Sequence, residues 1–459
     1  MSKNQLTIEP EVCRTARLSR DPRFDGQFFV GVITTGIFCR PICPAVAPKE
    51  SNVIYYPSAI SASIAGYRPC LRCRPDSAPN SEEWLGHESI LKTAITLINQ
   101  GYLDDHSLLE LAERLKVSDR YVRQLFTKHI GVAPKQFVKH RNCLFAKKLL
   151  HETNLGIQQV AFASGFNSIR NFNHAFKSIC GKAPSSFRST DTPKNDDLTL
   201  SLHYRPPLHW DQLINFLRAR CISSIEKVVG NAYTRTFEFN DSYGEFTIEP
   251  IKGKNQLKLT LKLNQLDDLA PIVERIKQCF DLNSNPEFIS QHLSKAIPFQ
   301  LLSNGIRIPL VWSSFEAGIR AICGQQVSVK AAHNLVHQIV ENLGQKKQQL
   351  ILFPKPETIS NCDFDFLKMP GRRKQTLRDF ASWWLMHSEE DIESILSING
   401  IGPWTMDYIK MRGIGDSDIW LNGDLGVQQA LKQLNLSIDD NQVKPYRSYL
   451  TFQLWHLLQ

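Results

Sequence analysis

FCRPICPAVA, residues 38–47, sets Cys39 and Cys43 four positions apart among prolines, and RPCLRC, residues 68–73, adds Cys70 and Cys73. Two close thiol pairs of this kind are how short loops assemble a tetrahedral zinc site. How they are read decides the fold of the front of the chain. Held by zinc, they clip a domain of roughly 75 residues that its own small core would barely stabilise. Closed four-cysteine sites are usually structural, so spacing alone favours a clip. Whether one thiol is also a reagent stays open at this level.

Eleven cysteines in 459 residues are too sparse and irregular for a disulfide framework. The opening MSKNQLTIEP lacks the basic-then-apolar pattern of a secretion signal, and no apolar run approaches a membrane span. A cytoplasmic protein with no membrane partner is expected. The length predicts three or more domains. The net charge of +9 is uneven: residues 1–190 carry 25 Lys and Arg against 15 Asp and Glu, the remainder 29 against 30. Within 101–190 the ratio is 14 to 6. A basic excess confined to one region is the footprint of a polyanion-binding module, although solvated helical faces look similar.

Polar stretches divide the chain. RPDSAPNSEEW (74–84) and STDTPKNDD (189–197) read as linkers, with a softer boundary in SKAIPFQLLSNGIRIP (294–309). Residues 86–188 read as amphipathic helices. Alternation in RTFEFN and LKLTLKLN predicts antiparallel strands over 199–263, with a helix at DQLINFLRAR (211–220). From 313 onward helical periodicity dominates. One internal repeat stands out: SDRYVRQLFTKHIGVAPKQF (118–137) matches SIRNFNHAFKSICGKAPSSF (168–187) at an offset of 50. Upstream, Leu111-Ala112 answers Val160-Ala161 at an offset of 49, so the second copy has one more residue in its turn. Ser118 and Ser168 are the expected N-caps of second helices, giving a helix-turn-helix twice. Two copies are too few to stack a solenoid.

The words around the cysteines, FDGQFFVGVITTGIFCRPIC and NVIYYPSAISASIAGYRPCLRCRPD, closely resemble the N-terminal domain of Ada-type methylphosphotriester repair proteins. The resemblance implies that Cys39 is both a zinc ligand and an irreversible methyl acceptor, with Cys43, Cys70 and Cys73 as the other ligands. It also implies that loss of charge on methylation tightens DNA binding and turns on transcription. Where that family often has basic residues after the second cysteine, this chain has Pro44, Ala45, Val46 and Ala47. Arg40, Arg68 and Arg72 remain as expected phosphate contacts.

The repeat resembles the DNA-binding domain of AraC-type regulators, which implies two recognition helices in successive major grooves. Asp119, Arg120, Arg123, Arg170, Asn171 and Asn173 are the early positions whose side chains suit base edges and phosphates. Arg123 fits a solvated face equally well, and Phe126 and Phe176 read as core.

In the last third, SINGIGPWTMDYIKMRG (397–413) places G-x-G between two apolar helical segments, where backbone N–H groups can approach a phosphate without a Cβ in the way. DSDIWLNGDLGVQQAL then places Asp424 beyond the second segment; beside Gly423, such an aspartate is ordinarily a turn or N-cap residue. LSLHYRPPLHWDQLINFLRARCISSIEKV (200–228), FEAGIRAICGQQVSVKAA (315–332), LKMPGRRKQTL (367–377) and YRSYLTFQLW (446–455) look like AlkA-type 3-methyladenine DNA glycosylases. That family is helix-hairpin-helix with a β-rich domain in front. The resemblance implies a catalytic Asp424 and a base pocket of Trp404, Tyr408, Trp455 and Phe216. It implies Gly400 and Gly402 at the DNA backbone, and Gln326 as the wedge behind the flipped base, where the family usually has an apolar residue. Without it, Trp404 and Trp455 read as plain core. Trp404 replaces the Schiff-base lysine of bifunctional relatives, so strand cleavage is not expected. Carbonyls of Leu396, Ile398 and Ile401 are candidates for a monovalent cation.

The expected whole is a multi-domain chain, mainly α with α+β parts. A zinc methyl-acceptor domain (1–80) is followed by a paired helix-turn-helix domain (86–190), an AlkA N-terminal-like α+β domain (198–296) and an all-α helix-hairpin-helix glycosylase domain (304–459). Its expected function is alkylation repair with transcriptional regulation. Its partners would be double-stranded DNA, both alkylated and operator, and RNA polymerase, with the chain a monomer held at the nucleoid when bound. No PCHR motif of O6-alkylguanine methyltransferases is present. The rival is a regulator with a structural zinc and an inactive glycosylase-like half.

Overall fold

The computed structural model describes residues 8–70, 72–73, 75, 89–188 and 197–458. Both linkers, apart from Pro75 and Asp197, and most of the opening decapeptide lie outside the described residues. The chain forms two compact units. The first is Met1–Pro206 with Asn255–Ile276 and Leu282–Ser284; the second is Pro207–Lys254 with Lys277–Asp281 and Asn285–Gln459.

The first unit begins with a four-stranded sheet of order β3-β1-β2-β4: β1 (Phe29–Val32), β2 (Ile37–Cys39), β3 (Val53–Tyr56) and β4 (Arg68–Pro69). β1 pairs antiparallel with β2 and β3, while β4 lies parallel to β2, Ile37 opposite Arg68 and Phe38 opposite Pro69. That parallel pairing brings the two cysteine segments together. Fully buried Phe28 and Phe38 anchor the two small clusters beside it. The repeat follows as helices Leu108–Arg114 and Asp119–His129, then Ile157–Ala163 and Ile169–Cys180, joined by a 19-residue helix, Pro134–Glu152. The first Ala-Pro opens that long helix; the second, Ala183-Pro184, opens only one 3₁₀ turn. β5 (Leu198–His203) pairs antiparallel with β9 (Gln256–Leu263) in the same unit.

The second unit holds the helix Trp210–Arg218, the antiparallel meander β6 (Glu226–Val229), β7 (Ala232–Phe239) and β8 (Ser242–Pro250), and a helical region from Ser314 onward. The helical reading of that region misses one feature, a short hairpin of Gln345–Lys347 with Leu350–Leu352, turned by Gln348 at φ 54°. Its core contains Phe315, Ile319, Ile322, Val336, Leu377 and Phe380, all buried. The helix Ser314–Gly324 approaches Gly371–Met386 closely through Gly318, where a Cβ would sit 2.1 Å from the Phe380 ring. The helix accepts a glycine, at about 1 kcal/mol in propensity, to allow that contact. Among the described residues no helix is long and apolar enough to cross a membrane.

Four buried charges tie the meander to this helix. Arg235 of β7 bonds Glu226 of β6 (2.6 Å) and Glu316, and Arg320 bonds both Glu226 and Glu316 at 2.8 Å. The Tyr233 hydroxyl and the Ile222 N–H also donate to Glu226. Such a network holds only while every member is paired.

Removing one cation should be costly. Arg235→Met leaves two buried carboxylates with Arg320 as their one remaining guanidinium, and urea denaturation should show a loss of about 3–5 kcal/mol; a loss under about 1 kcal/mol would mean that these charges are solvated. Burial pushes the Glu226 carboxyl up, but Arg320 and Arg235 outweigh it and hold it at about 2, below its ordinary 4.5. Its contribution is therefore complete above about pH 4.5 and lost as pH falls through about 2. Denaturation at stepped pH should find this decline in the wild type and a smaller one in Arg235→Met.

Candidate functional site

The four thiols converge. Cys39 ends β2, Cys43 follows in a turn closed by its N–H on the Arg40 carbonyl, Cys70 follows β4, and its N–H bonds the Phe38 carbonyl at 2.9 Å. The Sγ atoms all lie within 4.8 Å of one another, and Cys43 and Cys70 are 4.0 Å apart. Zinc–sulfur bonds of about 2.3 Å in a tetrahedron require edges of about 3.8 Å, so the residues present fit that ion. Thiol–thiol hydrogen bonds split the proton affinities. Bonds with Cys39 pull Cys43 down to about 7 and Cys70 lower still, while Cys39 and Cys73 are pushed up. Cys70 and Cys73 are buried; Cys39 and Cys43 are half-buried and reach the surface.

Arg40 does not serve as the expected phosphate contact. Its guanidinium is 3% exposed, paired with Asp25 and donating to the Cys73 carbonyl at 3.2 Å, while its own N–H points to Cys73 Sγ at 3.3 Å. It braces the cluster from beneath. Arg205, also buried, donates to the Asp25 carbonyl. Arg68 and Arg72 are exposed, as a phosphate contact requires. The Arg68 side chain lies across Gly181, where a Cβ would meet its Cδ at 2.6 Å.

Both recognition helices are capped as the repeat predicts: Ser118 accepts from the Tyr121 N–H and Ser168 from the Asn171 N–H, each at 3.2 Å. Residues 121–130 and 171–180 have the same alternation of buried and exposed positions. Phe126 and Phe176 are fully buried, whereas Arg120, Arg123, Arg170, Asn171 and Asn173 are exposed. Asp119 is half-buried and pairs with Arg123 at 3.4 Å, an exposed pair within one helix turn worth little.

The hairpin consists of a 3₁₀ run, Glu389–Ser397, the turn Ile398–Gly402 and the helix Pro403–Ile409. Gly400 has φ 92°, and a Cβ there would lie 2.4 Å from Thr376 Oγ1, so the turn requires glycine. Gly402 is the N-cap of the helix, and the N–H groups of Gly400 and Gly402 have no acceptor among the described residues. Pro403 at the first helical position sets Trp404 and Tyr408 four apart on one face, their rings 5.4 Å apart.

Asp424 has two roles at once. It is the N-cap of Leu425–Gln433, its Oδ1 accepting from the Val427 N–H at 3.1 Å. The same carboxylate accepts from Trp455 Nε1–H at 2.8 Å and Trp404 Nε1–H at 3.3 Å. The capping role of an ordinary aspartate is therefore present, and so is a position between two indoles. Trp404, Tyr408 and Trp455 are half-buried, unlike core tryptophans. Phe216 departs from the expected base-pocket role. It is 1% exposed, stacks on Trp455 at 6.2 Å, and has the guanidiniums of Arg220 and Arg412 over its ring at 3.8 and 4.7 Å. With its faces taken, it backs the wall rather than lining it.

Sequence reasoning missed Arg220, Arg412 and Gln325. Burial pushes Arg220 down to about 10, with Arg412 and Arg320 adding to the effect and Tyr408 and Asp424 opposing it, so it remains a cation at neutral pH. Arg412 lies in a π turn, Lys410–Ile414, and donates to the Pro309 carbonyl at 2.6 Å. Gln325 bonds the Gly400 carbonyl and Thr405 Oγ1. Gln325 and Arg412 act across 75 residues or more of sequence, where no local pattern marks them, whereas Arg220 lies one turn after Phe216, a spacing that could have flagged it. Gln326 is exposed at φ 55°.

Comparison with known proteins follows the same divisions. Family models match for the metal-binding domain of Ada over residues 12–76, a helix-turn-helix domain over 111–190 and the AlkA N-terminal domain over 199–313. A Mycobacterium tuberculosis protein named probable bifunctional transcriptional activator/DNA repair enzyme AlkA is 31% identical, covering 98% of this chain and 96% of that protein. DNA-3-methyladenine glycosylase 2 of Escherichia coli is 27% identical over 56% of this chain and 96% of its own. The bifunctional transcriptional activator/DNA repair enzyme AdaA of Bacillus subtilis is 31% identical over 38% of this chain and 80% of its own. With a relative of that identity along nearly its whole length, the chain belongs to the family of bifunctional AlkA proteins, which join an Ada-type metal-binding domain and a helix-turn-helix domain to an AlkA-type glycosylase.

Proposed function

We propose that this protein repairs alkylated DNA in two ways and regulates transcription in response. Its glycosylase half hydrolyses the N-glycosidic bond of alkylated purines such as 3-methyladenine and 7-methylguanine. Its front domain takes a methyl group from a DNA methylphosphotriester onto Cys39. The observation that carries the first activity is the Asp424 carboxylate held between the indole N–H groups of Trp404 and Trp455. N-alkylated purines carry positive charge and leave readily. Half-buried Trp404, Tyr408 and Trp455 offer faces on which such a base can stack, extruded from the helix. As the bond to the base breaks, positive charge grows on the sugar, and the Asp424 carboxylate would stabilise that charge and orient water onto C1′. The hairpin amides of Gly400 and Gly402 would take the DNA phosphate, with Gln326 filling the vacated stack. With Trp404 where a Schiff-base lysine would stand, the strand stays intact. The Ile398 and Leu396 carbonyls beside the turn suit a monovalent cation, together with that of Ile401.

For the second activity, the Cys39 sulfur forms a bond to the methyl carbon as the methyl–oxygen bond breaks, and the electron pair stays on the phosphate. Zinc, held by Cys39, Cys43, Cys70 and Cys73, would keep the sulfur a thiolate, which is the reactive form. Cys39 and Cys43 reach the surface while Cys70 and Cys73 do not, which narrows the acceptor to that pair, and the likeness to the Ada metal-binding domain favours Cys39. The exposed polar residues of the two recognition helices suit operator DNA, with RNA polymerase as the partner of a monomeric activator. The rival, a regulator with a structural zinc and an inactive glycosylase fold, leaves the Asp424 arrangement without a purpose.

Asp424→Asn keeps a capping oxygen, so the fold should survive, while release of free 3-methyladenine from alkylated duplex falls about a hundredfold or more. Equal release by both proteins would remove Asp424 from the reaction. DNA carrying a labelled methylphosphotriester should leave one label per chain, on the Cys39 peptide, without turnover. Label on another cysteine, or several turnovers, rules out Cys39 as the acceptor. Stripping zinc with a chelator should abolish that transfer and spare base release.

A further inference from the structure

Between the helices Ser314–Gly324 and Val329–Leu343 lie two adjacent glutamines with opposite orientations. Gln325 turns inward, its Nε2 donating to the Gly400 carbonyl at 2.9 Å and to Thr405 Oγ1 at 3.1 Å. This lashes the segment to the hairpin and to the first turn of the helix that carries Trp404. Gln326 turns outward. It is exposed, its amide has no hydrogen-bond partner among the described residues, and its φ is 55°. Left-handed backbone is uncommon for a residue with a Cβ and persists where the surroundings impose it. Here they do: the Gln325 bonds hold one side, and Ser328, capping the next helix through the Ala331 N–H, holds the other. Val327 and Val329 beside it are 36% and 48% exposed. The tip therefore projects a flat amide from an apolar base, next to a turn whose Gly400 and Gly402 N–H groups have no acceptor among the described residues.

A nucleotide turned out of a duplex leaves two things behind, a gap in the stack and a partner base with its pairing edge bare. An apolar side chain fills the gap but leaves the edge unpaired. A primary amide supplies a donor and an acceptor in one plane, and by rotating it supplies them in either order. In one order it matches thymine, which offers N3–H and O4; in the other it matches cytosine, which offers N3 and the N4 amino group. These are the partners of adenine and guanine. We propose that Gln326 enters the duplex and hydrogen-bonds the base left opposite the extruded lesion, so that this base is a recognised part of the substrate. The proposal rests on the glycosylase reading above and extends it to the second strand.

The test uses the full chain and binding alone. Affinity is measured, against excess undamaged duplex, for DNA with a tetrahydrofuran abasic mimic opposite either thymine or difluorotoluene, its isostere without pairing groups. The wild type should prefer thymine by about fivefold or more. Gln326→Leu should bind the two duplexes alike. Gln326→Asn, which accepts left-handed backbone but is one methylene shorter, should also lose the preference with its thermal stability unchanged. Equal affinities in the wild type, or a thymine preference that survives both substitutions, overturn the proposal. If the mimic is still preferred over undamaged DNA, the glycosylase reading stands and only the Gln326 contact is wrong; if it is not, both fall.

Discussion

One carboxylate joins three parts of the second unit. Asp424 caps its own helix through the Val427 N–H, holds the hairpin helix through Trp404 and holds the C-terminal helix through Trp455. A carboxylate has lone pairs enough for three donors, and here two are indole N–H groups whose orientation it fixes. The rings proposed to hold the base are thus oriented by the group proposed to act on it. Behind them, Phe216 and Phe452 pack on Trp455, so the indole has support on its inner side. Preorganisation of this kind costs nothing at the moment of reaction, because the orienting bonds are made on folding.

Cations gather around these rings, which would not be expected of the proposed site for positively charged bases. Arg220 and Arg412 lie over the Phe216 ring, and Arg412 also approaches Tyr408 and Phe452. Aromatic faces compensate in part for the lost hydration of a buried guanidinium. The Phe216 quadrupole is therefore engaged by these arginines, while Trp404, Tyr408 and Trp455 stay half-buried, as the proposed base contacts require. The buried quartet of Glu226, Arg235, Glu316 and Arg320 continues into this region, since Arg320 also donates to the Arg220 carbonyl at 3.0 Å. The fold of the meander and the placement of Arg220 are accordingly parts of one electrostatic arrangement.

At the front of the chain the same principle applies to sulfur. Thiolates need a positive environment, and the zinc fit supplies one, but the sulfur positions depend on what supports the loops. Arg40 does this from the interior, pinned by Asp25 and reaching the Cys73 carbonyl and Sγ. A residue that sequence reasoning assigned to DNA is instead part of the scaffold, while Arg68 and Arg72 stay exposed. The segment Pro44–Ala47 presents a fully exposed Val46 where a basic residue would strengthen the hold on DNA.

The amino-acid sequence by itself determined what local patterns can encode. Thiol spacing marked the metal cluster, because ligands from short loops must lie close in sequence. The 50-residue repeat marked the paired helix-turn-helix, down to Ser118 and Ser168, because capping and helical periodicity act within a few residues. G-x-G marked the hairpin, because only glycine tolerates φ 92° at Gly400. The short hairpin at 345–352 leaves no such mark, since three-residue strands carry too little alternation. Only the tertiary structure decided which side chains serve the surface and which the interior. Arg40 and Phe216 look in sequence like contacts for a ligand, yet burial commits both to neighbours elsewhere in the chain, Asp25 in one case and Arg220, Arg412 and Trp455 in the other. Asp424 is the converse, an ordinary cap by sequence that becomes the centre of the site once two distant indoles are folded onto it. Apart from the one-turn contact of Arg220 with Phe216, those contacts join residues fifteen or more positions apart, and no periodicity or spacing records them.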